Sequence, residues 1–173
     1  MALTLTQAHI ERVQAHAEQA YPHEGCGLLV GLFDAVADQK TLVDVVLLDN
    51  AWTADVADNL AESGQGNSAT MTKARRYCID PKDLFETQRQ AREKGLTIIG
   101  VYHSHPDAEA VPSECDRNLA WSSYSYIIAS VRNGVAVDLQ NWQLDSSHQF
   151  QPEPLKIAPA SAAKDRMPLV VLK

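Results

Sequence analysis

The chain has 173 residues, a length typical of a single domain that can bury a hydrophobic core. Hydrophobic residues make up 45% and charged residues 21%, and the net charge of -7 argues against a nucleic-acid partner, which would need a basic surface. No apolar run is long enough to cross a bilayer and the first residues lack the pattern of a signal peptide, so we expect a cytoplasmic protein without a membrane partner.

The first half of the chain predicts one helix and two strands. Thr6 can cap a helix whose apolar residues recur at three- and four-residue spacing, and Pro22 ends it because proline disfavours helical backbone in the residue before it. Residues 26–33 form a compact apolar run, which indicates a buried strand, and residues 42–48 indicate another. Residues 49–71 are mostly small and polar, which favours a surface excursion within the domain.

The second half alternates helix and strand again. Asp80 followed by Pro81 is typical of a helix start, and Gly95 of its end. Residues 97–102 indicate a buried strand that runs directly into His103. A short helix is expected to begin at Ser113.

The rest of the chain predicts a hairpin and a tail. Strands at residues 124–131 and 135–142 are separated by a turn that contains Asn133 and Gly134. We therefore expect an α/β fold in one domain, residues 1–155, with a mixed β-sheet flanked by helices. Residues 156–173 are expected to form a C-terminal tail or an edge extension.

The cysteines limit what kind of metal site the chain can build. Their number is odd and no C-x-x-C pair occurs, which argues against a disulfide framework and against a thiolate zinc site; the three are Cys26, Cys78 and Cys115. Imidazole and carboxylate groups must then supply most ligands of any bound metal.

Two histidines at the end of a predicted strand are the strongest candidates. His103 and His105 are two residues apart on extended backbone, so both side chains point to the same side and can reach one ion at roughly 2.0–2.1 Å. Ser104 points the other way, where packing or a backbone hydrogen bond is expected. Ser113 and Asp116 face one direction on a first helical turn, and Asp116 can complete a set of two histidines and one carboxylate. The fourth tetrahedral position stays open for water.

Such an open site is typical of hydrolytic metal chemistry. Zinc lowers the pKa of bound water to about 7, and a nearby carboxylate can take the proton and deliver it to a leaving amine. Ser113 is placed to donate a hydrogen bond to an oxyanion. The residues alone do not select the base, although Glu24 stands at the mouth of a buried strand. Four glutamates remain candidates: Glu18, Glu24, Glu109 and Glu114.

The same residues resemble a known family motif. Residues 103–106 (HSHP) with residues 113–116 (SECD), and upstream residues 22–31 (PHEGCGLLVG), resemble the JAMM (MPN+, Mov34/PAD-1) zinc metallopeptidases over about residues 5–155. The resemblance implies a cytidine-deaminase-like α/β fold and one catalytic zinc ion held by His103, His105 and Asp116. It also implies Glu24 as general acid/base and Ser113 as oxyanion stabiliser.

Residues 76–81 (RYCIDP) and 99–103 (IGVYH) look closest to the small stand-alone bacterial branch of the family. Members similar to this branch process the C-terminus of ubiquitin-like sulfur-carrier proteins, so the resemblance implies a substrate of that kind, contacted in part by residues 54–69. The alternatives are a peptidase for short peptides, or a catalytically silent MPN-type scaffold that binds proteins. A zinc deaminase is excluded because its P-C-x-x-C ligand pair is missing. A divalent ion other than zinc also satisfies the ligand set.

Overall fold

The computed structural model of the protein describes residues 1–53, 55–56 and 72–159. Most of the excursion predicted at residues 54–69, and the tail from residue 160, lie outside the described residues. The helices include α1 (Gln7–Ala20), α2 (Pro81–Glu93) and α3 (Glu114–Leu119). The strands are β1 (Ala2–Thr6), β2 (Cys26–Asp34), β3 (Gln39–Leu48), β4 (Thr97–Pro106), β5 (Ser125–Arg132), β6 (Val135–Leu144), β7 (Phe150–Pro152) and β8 (Leu155–Ala158).

All of these strands belong to one mixed sheet in the order β7-β6-β5-β4-β2-β3-β1-β8. Strand β4 lies in the middle, antiparallel to β2 and parallel to β5. The hairpin of β5 and β6 is antiparallel, whereas β1 is parallel to both β3 and β8. The predicted α/β class with a mixed sheet is therefore confirmed.

The helices begin where the sequence predicts, because the capping side chains are in place. The Thr6 hydroxyl accepts a hydrogen bond from the backbone N–H of His9 at 3.3 Å, which satisfies one of the free donors at the start of α1. Asp80 does the same for Lys82 at 2.8 Å, and Pro81 occupies the first turn of α2. Both helices are thereby stabilised at their N-terminal ends.

Apolar side chains alternate between the two faces of the sheet, so that each face has its own core. On β2, Leu28 and Val30 belong to the cluster that includes Ala91 of α2, whereas Leu29 belongs to the cluster that includes Val13 of α1. Burial of each such side chain contributes roughly 1.5–3 kcal/mol. The central strands are thus covered on both sides and hold their ends in fixed positions.

The glycine at position 27 shows how closely the central strands pack. A Cβ atom there would lie 2.2 Å from the carbonyl oxygen of Val46 and 2.3 Å from the ring of Tyr102. Only glycine leaves room for both neighbours, and Tyr102 is fully buried directly before His103. This contact fixes β2 and β4 next to each other at the end that bears the candidate site.

The structure contains strands that the sequence did not predict. Strands β1 and β7 were not predicted, and β8 pairs with β1 at the edge of the sheet. The division at residue 155 stays a prediction, and residues 160–173 lie outside the described part. Within the part of the chain that the structure describes, no helix has the length and apolarity needed to span a membrane.

Candidate metal centre and its cleft

The two histidines lie at the end of the central strand, with their rings on the same side. His103 pairs with Cys26 of β2 and His105 with Ser130 of β5, and β4 ends at Pro106 as predicted. The Nε2 atoms of His103 and His105 are 3.0 Å apart, and the ring of His103 is fully buried. The alternation of side chains along the strand thus produces the expected pair.

Helix α3 brings the carboxylate to the histidines. Ser113 caps this helix and Asp116 is its third residue. Asp116 Oδ1 lies 3.5 Å from His103 Nε2, and Asp116 Oδ2 lies 3.7 Å from His105 Nε2. One ligand atom from each of the three residues lies within 4.8 Å of the others, so the group can hold one metal ion.

The protonation pattern of the two rings fits a metal ion. His105 Nδ1 is 2.8 Å from the carbonyl oxygen of Glu109, an acceptor that places the ring proton on Nδ1 and leaves the Nε2 lone pair free towards the cluster. His103 Nδ1 is buried and has no hydrogen-bond partner among the described residues, while its Nε2 faces Asp116. Two imidazole nitrogens and one carboxylate form the donor set of open, four-coordinate zinc sites.

The electrostatics of the cluster also favour a bound cation. Burial would raise the pKa of Asp116, but the charge and hydrogen bond of His103 and the hydrogen bonds of His105 and Ser113 hold it well below its usual range. Burial lowers the pKa of His103. For His105 burial acts in the same direction, but the nearby Asp116 carboxylate and the hydrogen bond to the Glu109 carbonyl outweigh it and raise the pKa. The carboxylate of Asp116 is therefore ionised, as a metal ligand must be.

Glu24 lies two residues before the start of β2 and is a buried carboxyl group, only 5% exposed. Its pKa is raised to about 8, mainly by burial; the charge of His105 opposes this shift, the charge of Asp116 adds to it, and the charge of Arg76 opposes it. Its backbone N–H donates to the carbonyl of Lys73 at 2.8 Å. A carboxyl group with a proton affinity near neutrality is suited to accept and return a proton.

The other three glutamates have less suitable positions. Glu18 Oε1 accepts a hydrogen bond from the backbone N–H of Ala136, and the side chain of Glu114 is 82% exposed. Glu109 is exposed at the rim of a cleft of about 550 Å³ that Glu24, His105 and Ser113 also line. Of the four candidates, Glu24 alone combines burial with a position in this cleft.

Ser113 is held more tightly than the sequence suggests. Its hydroxyl and its backbone N–H both donate to Asp116 Oδ2, each at 2.6 Å. Because a serine hydroxyl has one proton to donate, it cannot serve an oxyanion while it serves this carboxylate. The structure shows Ser113 orienting Asp116, and its role as oxyanion stabiliser stays a prediction.

Two functional neighbours were missed by the sequence interpretation. The ring of Tyr77 stacks on the ring of His103, with centroids 4.6 Å apart and an interplanar angle of 22°. The Asn50 side chain donates to the carbonyls of Glu24 (3.0 Å) and Arg76 (2.9 Å) and accepts from the N–H of Cys78 at 3.1 Å. Tyr77 lies within the segment 76–81 that supports the resemblance, whereas nothing in the sequence around Asn50 indicates a hydrogen-bonding role.

The other residues near the motifs behave as structural residues. Ser104 is buried and its hydroxyl accepts from the N–H of Gly25 at 2.8 Å, which confirms the predicted backbone hydrogen bond. Cys26 is fully buried, and burial raises the pKa of its thiol to about 12, so the thiol stays protonated. No cysteine contributes to a candidate ligand group among the described residues.

Comparison with known proteins finds two relatives whose names describe an activity. A desampylase of Haloferax volcanii is 38% identical over 55 residues, which span 31% of this chain and 40% of the relative. A probable TtuB-protein conjugate cleaving protease of Thermus thermophilus is 25% identical over 128 residues, 74% of this chain and 70% of the relative. The chain thus spans less than half of the first relative.

Solved structures and a family profile agree on the fold. The solution structure of protein DSY2949 from Desulfitobacterium hafniense is 27% identical, with a TM-score of 0.69 over 95% of this chain and 99% of that one. The profile of the prokaryotic homologs of the JAB domain matches residues 6–145, well over half of the chain and including every candidate site residue. As its motifs predict, this chain belongs to the Prok-JAB family.

Proposed function

We propose that this protein is a zinc-dependent hydrolase that cleaves an amide bond near the C-terminus of a ubiquitin-like or sulfur-carrier protein. The observation that carries the proposal is the position of Glu24, a buried carboxyl group with a raised pKa, in a cleft that is also lined by His105 of the candidate ligand cluster. An acid/base group beside an open metal site is the arrangement that amide hydrolysis needs.

The three clustered side chains would hold the metal. His103 and His105 offer Nε2 and Asp116 offers a carboxylate oxygen, and Ser113 and the Glu109 carbonyl fix the orientation of two of these groups. When bound, zinc supplies a Lewis acid that polarises a carbonyl and lowers the pKa of coordinated water to about 7.

Glu24 would move the proton. In the ionised form its carboxylate accepts a proton from the attacking water, and it returns that proton to the amine nitrogen as the carbon–nitrogen bond breaks. Its burial raises its proton affinity, whereas the positive charges of His105 and Arg76 favour the ionised form. These opposing effects on its pKa suit a group that first accepts a proton and then donates it within one catalytic cycle.

Ser113 would assist the carbonyl oxygen. Its hydroxyl lies in the cleft with Glu24 and His105, and a donor there is worth roughly 2.7–4 kcal/mol when it contacts the developing oxyanion. For this the hydroxyl must break its hydrogen bond to Asp116 Oδ2. Asp116 Oδ2 would still accept the hydrogen bond from the backbone N–H of Ser113. The serine thus has two roles that alternate.

The relatives support the enzyme class and the substrate class. Two of them are named for cleaving conjugates, one as a desampylase and one as a protease of TtuB–protein conjugates. These names agree with a hydrolase acting where a small carrier protein is joined through its C-terminus. A peptidase for short peptides shares this chemistry, and a silent scaffold would not need Glu24 buried beside a complete ligand set. The cytoplasmic location stays a prediction.

The experiment compares the wild type with its Glu24→Gln variant on a sulfur carrier that bears a C-terminal extension. Both zinc-loaded proteins are incubated with the carrier, and its intact mass is followed with time. We expect trimming by the wild type and a loss of at least about 100-fold in the variant, because Gln keeps the shape but cannot accept a proton. Equal trimming by both proteins would refute Glu24 as the base. Binding of the carrier without trimming by the wild type would favour the scaffold.

A further inference from the structure

An arginine beside the candidate base has no charged partner among the residues that the structure describes. Arg76 lines the cleft together with Glu24, His105 and Ser113. Its Nη1 donates to the carbonyl of Arg75 at 2.6 Å, but its Nε is buried and unpaired in the part of the chain that the structure describes. No carboxylate of the described residues lies within 4.0 Å of the guanidinium.

The position of Arg76 is fixed by its backbone rather than by its charge. Its carbonyl accepts a hydrogen bond from the Asn50 side chain at 2.9 Å, and the same Asn50 amide holds the Glu24 carbonyl at 3.0 Å. The guanidinium is near enough to Glu24 and Cys115 to act on the pKa of both groups, lowering each against the effect of burial. Arg76 is therefore a cation held beside the candidate base, in the lining of the cleft.

A half-buried guanidinium with unused donors matches a carboxylate ligand. Guanidinium groups bind carboxylates through two parallel hydrogen bonds, and a buried donor without a partner is unfavourable until such a ligand arrives. Hydrolysis of an amide forms a bond between the water oxygen and the carbonyl carbon, breaks the carbon–nitrogen bond and moves a proton to the amine. It leaves a new carboxylate on the acyl side, next to the base.

We propose that Arg76 binds the C-terminal carboxylate that hydrolysis leaves on the acyl-side product, as a specificity-determining residue. The inference rests on the proposed function, since that reaction produces the carboxylate. It gives segment 76–81 a chemical role and predicts that the processed C-terminus is itself a ligand of the enzyme.

The test measures binding of two labelled pentapeptides ending in Gly-Gly, one a free acid and one a C-terminal amide, by fluorescence anisotropy. Zinc-loaded wild type, Arg76→Gln, Arg76→Lys and Arg75→Gln are compared. Arg75 is the matched control, because it is an exposed neighbour that lines the same cleft and its replacement removes the same charge. Zinc content and thermal unfolding are measured for each variant.

We expect the wild type to prefer the free acid, and Arg76→Gln to reduce that preference about tenfold, with Arg76→Lys in between and Arg75→Gln within twofold of the wild type. An unchanged preference in Arg76→Gln, an equal loss in Arg75→Gln, or no binding of the free acid by the wild type would overturn the inference. If the wild type trims the carrier but Arg76→Gln keeps the preference, the inference alone fails. If the preference depends on Arg76 but no carrier is trimmed, the proposed function alone fails.

Discussion

Asn50 is the residue whose replacement tests most sharply how the cleft is held together. Its amide group donates to two carbonyls, those of Glu24 and Arg76, and its oxygen accepts from the N–H groups of Trp52 and Cys78 at 2.9 and 3.1 Å. Three of these bonds join the segment after β3 to the segments before β2 and before α2, and the fourth, from Trp52, is local. Without them the base and the arginine lose their common support.

The magnitude follows from the number of bonds. Each hydrogen bond contributes about 0.5–1.5 kcal/mol net, so Asn50→Ala is expected to lower the free energy of unfolding by about 2–4 kcal/mol, since water re-solvates part of the exposed groups. Asn50→Asp keeps the accepting oxygen but turns a second oxygen towards the two carbonyls, so it loses both donated bonds and is not a conservative change. In the variants that stay folded, kcat should fall at least tenfold because Glu24 is misplaced.

Urea unfolding and steady-state cleavage of the extended carrier give the two quantities for the wild type, Asn50→Ala and Asn50→Asp. Asn118→Ala, an exposed position on α3, is the control and should change stability by less than about 0.5 kcal/mol. If Asn50→Ala unfolds at the same urea concentration as the control, or keeps the wild-type kcat, the hydrogen bonds of Asn50 do not stabilise the cleft and the reasoning is wrong.

Three further predictions concern buried groups. In the metal-free wild type, the folded state keeps a proton on Glu24 that the unfolded state releases near pH 4.5, so its stability falls as pH rises from about 5 to about 8. Glu24→Gln lacks this proton and should become more stable than the wild type over the same range, by up to about 4–5 kcal/mol. A difference in unfolding free energy that does not change with pH, measured by urea unfolding, would contradict this. Tyr77→Ala should weaken zinc binding about tenfold in a chelator competition by removing the ring stacked on His103, whereas Tyr77→Phe should keep it; equal affinities would refute the contact's role. Lys40→Met should lower the free energy of unfolding by about 3–5 kcal/mol, measured by thermal unfolding, because it leaves the buried carboxylate of Glu153 without its cation. The double variant Lys40→Met with Glu153→Leu should regain most of that stability, and a double variant as unstable as Lys40→Met would refute the pairing.

The metal cluster could be predicted from sequence because its geometry is local. The two-residue spacing of His103 and His105 on a strand fixes their common side, and the capped turn from Ser113 fixes the direction of Asp116. Only the distance between the strand and the helix is a tertiary property, and the family resemblance supplied the expectation that they meet. The same locality explains the correct starts of α1 and α2.

The missed features depend on contacts between distant segments. Asn50 and Tyr77 act on residues 26 positions away, so no local pattern reveals either role. The choice of Glu24 among four glutamates needed its burial, which the sequence indicated only through the apolar strand that follows. Strand β1 was missed for another reason. Leu3 and Leu5 alternate with polar residues, which is a local strand pattern, but the strand is short and lies at the N-terminus directly before the predicted helix.

The proposed metal centre is tested most directly by counting zinc in the purified chain. Wild type and His105→Ala are supplemented with zinc, passed through a desalting column and measured by elemental analysis, with circular dichroism to verify that both are folded. We predict one zinc ion per chain in the wild type and a loss of most of it in the variant, which lacks one of three ligands. A wild type without zinc, or a variant that retains as much zinc as the wild type, would contradict the assignment of His103, His105 and Asp116 as the metal centre.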